Sequence, residues 1–127
     1  MGRNLVLDAG ALIAFERGSR ELAAIIEQVH DFDCETVIPA SALAQVWRGG
    51  PKSARLAQLI DGSDVDPLDK VRAKEVGVRL GARGRSDVAD GHVACCAVEH
   101  GVPVATSDRN DLEVLIEPDE SVHLIDV

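Results

Sequence analysis

The stretch Leu5-Val6-Leu7-Asp8-Ala9-Gly10-Ala11-Leu12-Ile13-Ala14 decides the fold class. An uninterrupted apolar run reads as a strand buried on both faces, the kind found in parallel sheets. An acid ends the run, and small residues then lead straight into a helix. Strand followed at once by helix is the step from which α/β folds are built, and their binding crevices lie outside the carboxyl ends of the strands. Working outward, Asn4 to Asp8 is the first strand and Ala9 to Arg17 a short helix stopped by Gly18. Ser19 caps a second helix with Leu22, Ile25, Ile26 and Val29 at helical spacing. Thr36-Val37-Ile38 predicts a second strand, closed by Pro39. Ser41 to Arg48 and Ser53 to Ile60 predict a helical pair around the turn Gly49-Gly50-Pro51. A brief strand falls at Asp64 to Pro67, and a basic helix at Asp69 to Arg83. Ser86 or Asp87 caps a long apolar helix that runs to about His100. Gly101 stops it, Val102 to Thr106 forms the next strand, Asp111 to Ile116 a helical turn, and Val122 to Ile125 a last strand.

The 127 residues, 46% hydrophobic and 28% charged, suffice for one domain with a real core, spanning 1–127, and make disorder a poor description. No apolar stretch reaches the roughly 18 residues that cross a bilayer. Met1 to Asp8 lacks the plan of a signal peptide, so a cytoplasmic protein without membrane contact is expected. Cys34, Cys95 and Cys96 cannot all pair, and the adjacent two read as small buried hydrophobes. His30, His92, His100 and His123 share no ligand-like spacing. Net charge is −9, yet residues 48 to 85 hold nine of the thirteen bases against five acids, a local +4, while the remainder carries −13. Such a cationic middle can grip a phosphate backbone or form solvated helix faces.

Asp8, Asp87, Asp90 and Asp108 occupy the places where an α/β crevice is assembled. Asp8 and Asp108 follow strands; Asp87 and Asp90, three apart, point the same way from the first turn of the apolar helix. Each has an ordinary local use as a helix cap or turn former. Together they are costly, since two unit charges about 4 Å apart repel by roughly 1 kcal/mol in water and about 4 kcal/mol near a protein surface. A divalent cation among them removes that cost, and hard cations take oxygen ligands.

The order strand-Asp8, then Asp90 in Asp-Gly-His-Val-Ala-Cys-Cys-Ala, then strand-Thr106-Ser107-Asp108-Arg109-Asn110-Asp111-Leu112 resembles the PIN domain, and the length resembles VapC toxins of bacterial toxin–antitoxin pairs. The resemblance covers essentially the whole chain. It implies a PIN-like α/β/α sandwich with a central, mostly parallel sheet of four to five strands. It also implies an Mg²⁺- or Mn²⁺-dependent endoribonuclease, homodimeric and neutralised by a cognate antitoxin. Asp8, Asp90 and Asp108 are then the catalytic acids, with Asp87 and Gln45 as further metal ligands and Asp87 and Asp111 as the place for a second ion. Arg48, Arg83 and Arg85 are expected to hold RNA. Two departures stand out: Gln45 replaces the glutamate usual in the helix after the second strand, and Ala9 and Gly10 carry no hydroxyl where the family has hydroxyl residues after its first aspartate.

With 2% aromatic residues, stacking platforms for bases are scarce, so RNA shape and backbone should guide target choice. Leu43, Val46, Trp47, Leu56, Leu59 and Ile60 form an apolar set, mostly core, and part of it is a candidate groove for an antitoxin helix. Two rival readings are a catalytically weak or inactive PIN-like binding module and a phospho-receiver domain. The latter needs a late lysine, and no lysine follows Lys74.

Overall fold

The computed structural model describes residues 3–116 and 120–127; Met1 and Gly2, part of the N-terminal reading above, lie outside them. The strands β1 (Leu5–Leu7), β2 (Thr36–Pro39), β3 (Asp64–Asp66), β4 (Val104–Thr106) and β5 (Leu124–Asp126) form one sheet in the order β3-β2-β1-β4-β5. Every pairing is parallel. β1, β2 and β4 are buried throughout, which is why they read as unbroken apolar runs.

The helices are α1 (Ala9–Glu16), α2 (Arg20–Asp31), α3 (Ala40–Val46), α4 (Ala54–Asp61), α5 (Lys70–Arg83), α6 (Val88–His100) and α7 (Arg109–Leu115). Connections between parallel strands are right-handed. The order therefore sends the β1–β2 and β2–β3 crossovers over one face and the β3–β4 and β4–β5 crossovers over the other. In the packing α1 meets α2, α3 and α4, and α5, α6 and α7 pack on one another, while α3 also reaches across to α6. The result is the PIN-like α/β/α sandwich that the sequence suggested, with an entirely parallel sheet.

Several boundaries moved. α3 ends at Val46, two residues early, because Trp47 is extended and Gly49 and Gly50 take positive φ of 78° and 76°. α7 starts at Arg109, directly after Asp108, instead of at Asp111. β5 runs Leu124–Asp126, offset by one or two residues from the expected strand. α6 is buried from Ala89 to Ala97 apart from Asp90, and Gly91 lets it approach α5: a Cβ there would stand 2.9 Å from Val76 Cγ1. Cys95 and Cys96 are free and buried, as expected of small hydrophobes.

Candidate functional site

The strand order reverses direction between β1 and β4. From β1 the chain moves outward to β2 and β3; from β4 it moves the other way to β5. Helices leaving toward opposite faces open a crevice at such a switch point. Leu7 pairs with Ala105 there, so Asp8 and Thr106, the next residues, stand side by side.

Asp8 is 2% exposed and tightly held. The Ala11 N–H donates to its Oδ1 (2.7 Å), and the Thr106 hydroxyl donates to its Oδ2 (2.5 Å). Burial raises the Asp8 pKa; the hydrogen bonds from Thr106, Ala11 and the Ser107 N–H oppose this, and the nearby Asp108 carboxylate adds to the rise. The Asp108 N–H donates in turn to Thr106 Oγ1 (2.8 Å), so one buried hydroxyl fixes both strand-end acids.

Asp90 enters from α6. Asp87 caps that helix by accepting the Asp90 N–H (2.9 Å). The carboxylate oxygens of Asp90, Asp108 and Asp111 lie within 4.8 Å of one another. The Asp90 pKa is pushed up to about 7 by burial first, then by Asp87, Asp108, Asp111 and Asp8. Five acids from three distant segments therefore share one field. Arg85 stands at the rim, 4.0 Å from Asp111, where a small cleft of about 170 Å³ is lined by Arg85, Ser86, Asp87, Asp90 and Asp111. The all-oxygen donor set suits a hard divalent cation. A larger cavity of about 480 Å³ lies between α5 and α6, but the two carboxylates that line it, Glu75 and Glu99, both accept from Arg72 and are already paired.

Other expected site residues sit differently. Gln45 is exposed in the last turn of α3, and Arg48 is exposed just beyond it, with a nitrogen on the Trp47 carbonyl (2.8 Å). Arg83 donates to the Val114 carbonyl (3.1 Å), which places it against α7, and it lines the cavity between α5 and α6 and not the acidic cleft. The basic stretch 48–85 is not all solvated or free for RNA. Arg72, 9% exposed, donates to both oxygens of Asp66 (3.0 and 3.1 Å), to Glu75 (2.8 Å) and to Glu99. Arg79 holds Glu120 (2.8 Å) and the Leu115 carbonyl.

His92, fully buried, completes this second network: its Nε2 is 2.8 Å from Asp66 Oδ1 and its Nδ1 is 2.9 Å from Ser41 Oγ. An ionised Asp66 only accepts, so Nε2 carries a proton, and the Ser41 N–H is directed at Nδ1 (3.5 Å). Burial would raise the Asp66 pKa, but hydrogen bonds from Arg72 and His92 outweigh it and hold the carboxyl below its ordinary range. Asp66, His92 and Cys96 lie close enough to suggest metal ligands, but Arg72 already neutralises Asp66, which makes the cluster a structural one.

Asp8, Asp87, Asp90 and Asp108 are legible in the sequence as one acidic set, and Asp111 only as a neighbour of Asp87 at a second ion; the structure puts Asp111 with Asp90 and Asp108, and the sequence assigns no role to Thr106 or Asp66. A polar residue ending a buried strand was the available signal for Thr106. No signal short of the fold joined Asp66 to His92.

The fold is shared with solved toxin–antitoxin assemblies. VapBC2 from Rickettsia felis, bound to a DNA fragment from its promoter, matches with TM-score 0.71 at 12% identity over 98% of both chains. DNA-bound VapBC from Salmonella typhimurium matches with TM-score 0.68 at 19% identity, over 99% of this chain and 98% of that one. FitAcB from Neisseria gonorrhoeae matches with TM-score 0.63 at 17% identity, over 95% and 96%. No family model matches the sequence, and no curated protein matches it closely in sequence.

Proposed function

We propose that this chain is a single-domain, VapC-like endoribonuclease that hydrolyses RNA phosphodiester bonds with Mg²⁺ or Mn²⁺. The observation that carries the reading is the convergence of Asp90, Asp108 and Asp111 on one another, beside a locked Asp8, at the switch point of a PIN-like sheet. Carboxylates at that spacing with a pKa near 7 among them hold charge that a divalent cation would offset. Asp8, Asp90, Asp108 and Asp111 would hold the ion, with Asp87 adding negative charge behind them. Such an ion, when bound, lowers the pKa of a water nucleophile and offsets charge developing on the phosphoryl oxygens. Thr106 keeps Asp8 and Asp108 in register, so the ligand oxygens need little reorganisation. Arg85 at the rim, Arg83 against α7 and the more distant Arg48 would meet the RNA backbone. By analogy with the VapBC and FitAcB assemblies, a cognate antitoxin would neutralise the chain, seated partly on the exposed Trp47 (40%), and the active form would be a cytoplasmic homodimer.

Gln45 in place of an acid favours one alternative, a metal-binding module with little or no cleavage. Incubation of partner-free protein with total RNA and Mn²⁺, with mapping of the cut ends, decides between them. Defined ends that vanish with Asp8→Ala and with EDTA support the nuclease. Uncut RNA alongside a Mn²⁺-dependent rise in melting temperature supports the module.

A further inference from the structure

Ser107 carries a hydroxyl that the fold has made room for and that no described residue uses. Its place is set by Gly10 in α1: a Cβ built on Gly10 would lie 1.7 Å from Ser107 Oγ and 2.7 Å from Ser107 Cβ. Gly10 has an ordinary helical backbone, with no positive φ, so a side chain at position 10 is excluded by Ser107 and by nothing in the backbone. The same Cβ position is 3.4 Å from Asp8 Oδ1. Ser107 Oγ thus fills the notch beside the Asp8 carboxylate.

The side chain is exposed, and among the described residues its hydroxyl makes no hydrogen bond. The preceding hydroxyl behaves otherwise: Thr106 Oγ1 is buried and used twice, by Asp8 and by the Asp108 N–H.

We infer that the Ser107 hydroxyl is a substrate-contacting group of the acidic crevice, donating a hydrogen bond to a phosphate oxygen of the RNA backbone beside Asp8, with Gly10 as the space that admits it. The inference rests on the nuclease reading for its substrate. A neutral donor is chemically apt there. Carboxylates repel a phosphate, and a hydroxyl held among them supplies attraction without neutralising a metal ligand.

The test deletes the hydroxyl and then moves it. Ser107→Ala removes Oγ and keeps Cβ. The double variant Gly10→Ser with Ser107→Gly clears the notch and returns a hydroxyl from the helix side. Three quantities are measured for each: cleavage rate on total RNA, dissociation constant for a mixed-sequence 2′-O-methyl oligoribonucleotide, and melting temperature with and without Mn²⁺. Ser107→Ala should weaken probe binding and kcat/KM by about tenfold to a hundredfold, the range for a hydrogen bond to a charged group. Its melting temperature and Mn²⁺ response should match the wild type. The double variant should recover most of the loss. Wild-type binding and cleavage by Ser107→Ala would overturn the inference, as would a folded double variant with no recovery. A wild-type protein that cuts nothing defeats the nuclease reading alone. Probe binding then still decides Ser107, since a tenfold loss in Ser107→Ala upholds the phosphate contact and equal binding, or none by either protein, removes it.

Discussion

At Asp90, burial and four neighbouring carboxylates all favour the proton. The folded carboxyl keeps it up to about pH 7, while an unfolded aspartate releases it near 3.8. The folded state thus binds more protons between those values, and the associated stability is fully present below about pH 3.8 and lost as pH rises through 7. Melts in EDTA should therefore show a falling Tm from pH 5 to 8. Asp90→Asn should flatten that fall and raise Tm at pH 8 by a few degrees, while abolishing the Mn²⁺-induced shift. A variant less stable than wild type at pH 8 would refute the electrostatic account. Thr106→Val, nearly isosteric, leaves Asp8 Oδ2 and the Asp108 N–H without their partner; urea melts should show a loss of about 1–3 kcal/mol. Four of the five acids were legible because strand ends and helix starts are local patterns. Asp111 was legible only as company for Asp87 at a second ion, because its helix starts at Arg109, two residues earlier than the pattern suggested, which brings Asp111 into the first turn and beside Asp90 and Asp108.

At the level of elements, α6 is the part that must be held, since it delivers Asp90 from its first turn. The Ser41–His92–Asp66–Arg72 network does this, tying α6 to α3, β3 and α5. Removing one member of a buried ion pair is costly because the other charge is left behind. Arg72→Met should cost about 3–5 kcal/mol in urea melts, with cleavage reduced in proportion to unfolding or to displacement of α6. A loss under about 1 kcal/mol would show the network to be peripheral. The sequence did contain a signal for Arg72. It shares a helical stripe with Val76 and Leu80, each four residues apart, and those two are core. The partners were not legible, because Asp66 and Glu99 reach Arg72 only through the packing of β3 and α6.

For the whole molecule, the net charge of −9 and the local +4 of residues 48 to 85 describe different things once the chain is folded. Arg72 and Arg79 are used internally, so on the proposed reading Arg85 at the rim is the arginine that would meet RNA. Binding of a single-stranded RNA probe should weaken with salt. If Arg85 contacts one phosphate, Arg85→Gln should reduce the slope of log K against log salt by about 0.7. An unchanged slope would move the RNA path away from α6. Local order alone, each apolar run ending in an acid or turning into a helix, determined that the chain is α/β and that its aspartates stand at strand ends. Periodicity and turn residues are short-range properties, so they can be read without knowing what lies alongside. Strand order cannot be read that way. Only the tertiary structure decided that β4 lies against β1, which brings Asp108 to Asp8, seats Ser107 in the Gly10 notch and turns scattered acids into one field. Those pairings are hydrogen bonds and contacts between residues about a hundred positions apart, and they exist only once the core has closed around them.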